Sequence, residues 1–230
     1  EFTQIDIEMS FIDEDDLFAT AESVVAAVFA AAGVEIPRPF VRMPYAEAMR
    51  RFGSDKPDLR CDLELVELTD LAGESDFQVF KRIVAEKGLV AGIRIPGGGA
   101  LSRKEIDDLT AYAGRYGAKG LAYFHARNGT LESNIAKFFS PELLGRIRAR
   151  FAAEDGDLVV FVADKPATTR NALGQLRLKI ASDRGLMRDE YRFLWVTEFP
   201  LFERDDAAGR WVAIHHPFTS PRPEDLERFD

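Results

Sequence analysis

Leu89-Val90-Ala91-Gly92-Ile93-Arg94-Ile95-Pro96-Gly97-Gly98-Gly99 changes the rhythm of this chain and decides how its middle is folded. Leu89 to Ile95 is a short apolar run broken only by Arg94 and bounded by punctuating residues, which reads as a strand. Pro96 to Gly99 is a tight loop. Ser102 with Glu105 three residues later makes a capping box, which opens a helix expected to end near Gly117. Reading outward, Phe77 to Glu86 is helical, Leu121 to His125 and Leu158 to Val162 are strands, Ser140-Pro141-Glu142 starts a helix, and Thr168 to Ser182 forms another. This alternation predicts a compact α/β unit of its own over residues 77–182.

The flanks read differently. Ile5, Ile7, Met9 and Phe11 alternate with Gln4, Asp6, Glu8 and Ser10, the period of a half-buried strand. Asp13 to Asp16 load the start of a helix with negative charge that suits its dipole, and Gly33 reads as the stop. Pro44 suits a first helical position, so Tyr45 to Phe52 forms a short helix closed by Gly53. Gly53 to Arg60 is then a polar loop. Near the far end, Tyr191 to Thr197 and Trp211 to Ile214 read as strands joined by the polar turn Arg204 to Arg210, returning to a sheet like that of the first segment. The expected organisation is α+β: residues 1–76 and 183–230 are two parts of one domain, with 77–182 inserted between them.

Composition narrows the function. A net charge of −9 argues against a general polyanion binder, although a local basic patch is compatible with it. The single cysteine, Cys61, has no partner for a disulfide and no ligand spacing for zinc, which suits a reducing, cytoplasmic setting. The longest apolar run, within Leu17 to Ala32, is interrupted by Thr20, Glu22 and Ser23 and falls short of a membrane span. The chain opens at Glu1 and enters a strand pattern at once, so an excised internal piece is expected.

Few residues offer chemistry. Gln4, Asp6 and Glu8 would project from one sheet face at about 6 to 7 Å spacing, either as a floor for a small charged ligand or as an ordinary solvated face. A carboxylate such as Asp6 can hold an ammonium group, and Glu8 can supply the oxygen ligand that magnesium prefers. His215 and His216 follow the apolar run Trp211 to Ile214; on a continuing strand they would point to opposite faces, one as a ligand group and the other in packing. Gly97 to Gly99 sit where backbone amides can bind phosphate, yet the lysine-bearing phosphate loop and the spaced dinucleotide fingerprint are missing, which favours a plain turn. Arg50, Arg51, Lys56 and Arg60 could touch RNA, but Asp55 and Asp58 interleave with them as in a solvated loop. No serine or cysteine lies in a nucleophile motif, so no catalytic residue is assigned.

The runs Phe2 to Phe11, Tyr45-Ala46-Glu47-Ala48, Arg51-Phe52-Gly53-Ser54-Asp55-Lys56-Pro57-Asp58-Leu59-Arg60, Gly117 to Ala122 and His215-His216-Pro217-Phe218-Thr219-Ser220-Pro221 resemble bacterial-type aspartyl-tRNA synthetases, of class II. The resemblance implies that the first strand is the second half of motif 2 in an antiparallel catalytic sheet, and that the central unit is the insertion domain called GAD. It implies ATP and Mg2+ as cofactors and L-aspartate, ATP and tRNA as partners, with Gln4, Asp6, His215 and His216 on the aspartate and Glu8 on the ATP and magnesium side. It also implies a homodimeric parent enzyme, a monomeric piece without the motif 1 interface, and no adenylate formation by a piece without the motif arginines. Positioning and charge neutralisation, rather than acid or base, would carry such a reaction. The competing expectations are a non-catalytic tRNA-contacting GAD module, as in tRNA-dependent amidotransferase subunits, and a plain α/β binding domain.

Overall fold

The computed structural model describes residues 2–205, 208–214, 221 and 223–228. In chain order the elements are α1 (Glu14–Ala31), β1 (Val41–Pro44), α2 (Tyr45–Phe52), β2 (Val66–Glu67), α3 (Thr69–Glu74), α4 (Gln78–Ala85), β3 (Leu89–Ile95), α5 (Arg103–Gly114), β4 (Ala122–Arg127), β5 (Thr130–Glu132), α6 (Pro141–Arg150), β6 (Leu158–Asp164), α7 (Pro166–Asp183), β7 (Leu194–Thr197), β8 (Phe202–Asp205) and β9 (Arg210–Ala213). The result is a mixed α and β fold built on an antiparallel sheet.

That sheet has five strands in the order β2-β3-β6-β4-β5, with β3 and β6 in register from Leu89↔Asp164 to Ile95↔Leu158. Both of its faces are covered. Ile93, Val160 and Val162 pack towards Ile106, Leu109, Leu173, Leu176 and Ile180 of α5 and α7. Val90, Val159 and Phe161 pack towards Leu71, Phe80, Leu143 and Ile147 of α3, α4 and α6. Strands buried on both faces lose the alternation of a half-buried strand, which explains why β3 and β6 are apolar almost throughout. The core extends back to Cys61, Leu63 and Leu65 and forward to Leu186 and Met187.

Local signals set most of the boundaries. The Ser102 hydroxyl accepts from the Glu105 amide at 3.3 Å and the Glu105 carboxylate accepts from the Ser102 amide at 2.7 Å, the reciprocal cap that starts α5. Asp13 and Asp16 make the same exchange at the start of α1. α2 ends on Gly53, whose φ of 65° lies in the left-handed region that a glycine enters without steric cost. α5 stops at Gly114, one turn short of the expected end, because Gly117 closes the following turn instead.

Two expectations for the flanks fail. Residues 2–10 form no strand: they are exposed, with Ile5 at 63 % and Phe2 at 84 %, and the period-two pattern runs out at Phe11, where φ is +58°. Alternation prepares a ribbon for a sheet, but a strand exists only where a neighbour accepts its hydrogen bonds, and no described strand lies beside this one. The second failure concerns pairing. β7 lies parallel to β1, from Val41↔Leu194 to Pro44↔Thr197, and β9 pairs with β8, a strand that begins before the supposed polar turn. Short strands of mixed polarity such as Phe202-Glu203-Arg204-Asp205 carry too weak a pattern to be seen without their partner.

Candidate functional site

α1, β1 and β7 are joined by an aromatic platform. Phe18 of α1 stacks on Trp195 of β7 at 4.7 Å between centroids, and Phe40 stacks on Phe193 at 4.8 Å. Glu22 is buried beneath them, and its Oε1 accepts from the Trp195 indole at 2.9 Å and from the Phe40 amide at 3.1 Å. A buried carboxylate is stable there because both donors replace its water. Met43, Ala48 and Phe52 pack against Leu59, Leu194 and Val196 to join α2 to the β1–β7 pair.

α2 then meets α7 almost backbone to backbone. A Cβ on Gly53 would sit 2.1 Å from the Arg170 carbonyl oxygen, and one on Gly174 would sit 2.8 Å from the carbonyls of Phe52 and Gly53. Beside this contact Arg177, only 1 % exposed, donates to the Leu63 carbonyl at 2.5 Å, to Asp58 at 2.7 Å and to Cys61 at 3.2 Å. Its guanidinium also lies over the Phe52 ring at 4.8 Å. Burial pulls the Arg177 pKa down, against the opposing pull of Cys61, Asp58 and Glu64. Arg188 completes the clamp by donating to the Leu59 carbonyl at 3.0 Å and to Asp62 at 2.6 Å. Arg51 makes a bidentate pair with Glu64 and reaches Glu47 at 2.7 Å; these hydrogen bonds, Glu64 first, hold the Arg51 pKa up and the Glu64 carboxyl below its usual range.

The Gly53 to Arg60 loop is therefore held from inside by cations. Arg60 grips Asp58 at 2.7 Å, and the hydrogen bond from Arg60 lowers the Asp58 pKa. Of the basic cluster, Arg51 and Arg60 are thus spent on carboxylates, while Arg50 and Lys56 face solvent. The glycine loop is a turn: the Gly97 amide donates to Asp157 at 2.9 Å and the Gly99 amide to the Gly156 carbonyl at 2.7 Å, so neither is left for a phosphate. Burial raises the pKa of Asp157, but the amides of Glu154 and Gly97 and the Arg94 guanidinium outweigh it and hold the carboxyl low.

Gln4, Asp6 and Glu8 are exposed on the unpaired 2–10 segment, and His215 and His216 lie outside the described residues. Sequence reasoning missed Glu22, Arg177 and Arg188. Arg177 left a signal, standing within the apolar face Leu173, Leu176 and Ile180 of α7, where a cation needs buried acceptors. Glu22 left one too, as the acid inside the apolar run that follows Leu17.

Comparison with known proteins places this architecture. The chain is 50 % identical over 229 residues to an aspartate–tRNA(Asp/Asn) ligase of Geotalea uraniireducens, covering 99 % of this chain and 39 % of that protein. It is 52 % identical over 229 residues to an aspartate–tRNA ligase of Geobacillus kaustophilus, covering 98 % of this chain and 39 % of the relative. A Ruminiclostridium cellulolyticum aspartate–tRNA ligase is 51 % identical over 233 residues, with 100 % and 39 % covered. The chain thus spans about two fifths of the length of the curated relatives it matches. The family model described as tRNA synthetases class II (D, K and N) matches residues 1–230, and the mixed fold with its antiparallel sheet fits that family. The chain belongs to the class II tRNA synthetases of the D, K and N group.

Proposed function

We propose that this chain is part of an aspartate–tRNA ligase, which activates L-aspartate with ATP to aspartyl-adenylate and transfers the aspartyl group to tRNA. The observation that carries the proposal is the identity of about half the residues to proteins so named, in matches that span both flanks as well as the centre. A free-standing tRNA-contacting module would share the centre alone.

In this reading Asp6 takes the aspartate ammonium, Gln4 hydrogen-bonds beside it, and His215 and His216 close over the amino acid. Glu8 presents an exposed carboxylate, the hard oxygen donor that Mg2+ takes. When bound, the ion would neutralise phosphate charge on ATP. The alternation of Gln4, Asp6 and Glu8 with Ile5, Ile7 and Met9 supports this assignment, because such a row would make a ligand-facing surface on a sheet. Residues 1–76 and 183–230 are then catalytic-domain segments and 77–182 the inserted GAD domain, in a cytoplasmic enzyme that acts as a homodimer. The chain alone is monomeric and forms no adenylate.

The test is aspartate-dependent exchange of pyrophosphate into ATP by the full-length protein, with Asp6→Ala beside it. Exchange that needs L-aspartate and falls by at least a hundredfold in the variant is expected. Exchange driven by another amino acid, or a variant with unchanged aspartate KM and kcat, would overturn the assignment. Calorimetric titration of the 230-residue chain with a non-hydrolysable aspartyl-adenylate analogue then tells whether the flanks form a partial site unaided.

A further inference from the structure

The central sheet has a notch. β4 pairs with β6 only from His125↔Leu158 to Ala122↔Phe161, whereas β6 runs on to Asp164 paired with β3 alone. Beside the unpaired edge lies a groove of about 380 Å³, floored by Phe161 and Ala163 and walled by Phe77, Val79 and Arg82 at α4 and Lys119 opposite. Its volume falls in the range of small-ligand sites. Phe161 is buried, Phe77 and Ala163 are half-buried, and Val79 is 43 % exposed, so the slot offers apolar surface that the fold leaves uncovered.

Charge gives the slot a sign. Its lining residues include Arg82 and Lys119 but no aspartate or glutamate, in a chain whose acids outnumber its bases 39 to 30. Lys137 lies over the Phe138 ring at 5.2 Å, and that ring is 5.7 Å from Phe77; Lys165 follows Asp164 at the notch. The acids nearby are largely committed: Asp76 pairs with Lys81 at 2.7 Å, and buried Asp164 accepts from the Lys165 amide at 2.8 Å with Lys119 at 3.3 Å. Glu86 stands one turn along α4 from Arg82 at the outer edge.

An apolar groove with two cations among its lining residues complements a flat ring carrying a phosphate. We infer that this groove binds a nucleotide, seating the base between α4 and the edge of β6 with its phosphate on Arg82 and Lys119. The groove shares no residue with the aspartate and ATP site proposed above, and the inference does not rest on that reading. The nucleotide is either free or an unpaired residue of an RNA.

The test is fluorescence anisotropy of a dye-labelled unpaired hexaribonucleotide with the 230-residue chain at low salt, with AMP as competitor. Arg82→Ala and Lys119→Ala are expected to weaken binding about fivefold each and to lower the salt slope by about one. Lys104→Ala, an exposed cation on α5 across the sheet, is expected to change nothing. Arg82→Ala guards against a folding artefact, since Lys119→Ala also strips the partner from Asp164. Displacement by AMP would identify a free nucleotide as the ligand, and RNA binding indifferent to AMP would identify an unpaired RNA residue. Failure of both probes to bind the folded chain, or equal weakening by Lys104→Ala, would overturn the inference.

Discussion

The central unit and the flanks use similar apolar patterns with opposite results. Within the unit, Ile93 and Leu158 are fully buried and Phe80 is 1 % exposed, because five strands share their edges and helices cover both faces. In the flanks, Ile5 is 63 % and Trp211 65 % exposed, and among the described residues the strands pair in twos, β1 with β7 and β8 with β9. Two-stranded ribbons are marginal by themselves. Hydrophobic periodicity states what a segment is ready to bury; burial itself depends on the neighbours supplied.

If the joint between α2 and α7 is what ties the two regions, Gly53→Ala has the largest expected effect. The added methyl meets a backbone oxygen at 2.1 Å in a left-handed conformation, and a loss of about 3 kcal/mol or more is expected. Hydrogen exchange would show α2 and the β1–β7 pair losing protection while β3 and β6 keep theirs. Uniform loss throughout the chain would break the comparison. Next comes Arg177→Met, which leaves three loop carbonyls without their donor; about 2 to 4 kcal/mol is expected in denaturant unfolding, with the loss in the 58–63 loop.

Acid sharpens the contrast further. The Arg51 pair holds Glu64 below its usual carboxylate range, and the amides with Arg94 do so for Asp157. A depressed folded pKa gives stability that is fully present above the unfolded value, about 4. It is lost as pH falls through the folded value. The denaturation midpoint is therefore expected to hold down to roughly pH 5 and to fall below about pH 4. Asp157→Asn should blunt that fall at the glycine turn while leaving the Glu64 contribution. The smallest expected effect is Trp195→Phe, which removes one donor to Glu22 while keeping the stack on Phe18; about 1 kcal/mol is expected, confined to the flank.

Legibility followed the range of the forces involved. The strand Leu89–Ile95, the helix Tyr45–Phe52 with its Gly53 stop, and the Ser102/Glu105 cap were readable because their causes lie within a few residues. β1 and β8 were not: β1 is defined by a partner far along the chain, and β8 is too short and polar to show before the strand that pairs with it is known. Of the candidate site, the residue types at Gln4, Asp6 and Glu8 suggested a ligand face, but the sheet that would present them cannot be inferred from alternation. Arg177 was missed although it stands as an oddity in an apolar stripe, and its three acceptors left no signal.

The Gly53–Gly174 contact also sets an order in time. α2 leaves the ribosome long before α7 exists, and its closest neighbour is the last helix of the central unit. The joint can close only after the whole intervening stretch has been made, so it is a late event in synthesis. Until then Phe52 lacks the Arg177 guanidinium that lies over its ring, and the time taken to make the central unit sets how long it waits.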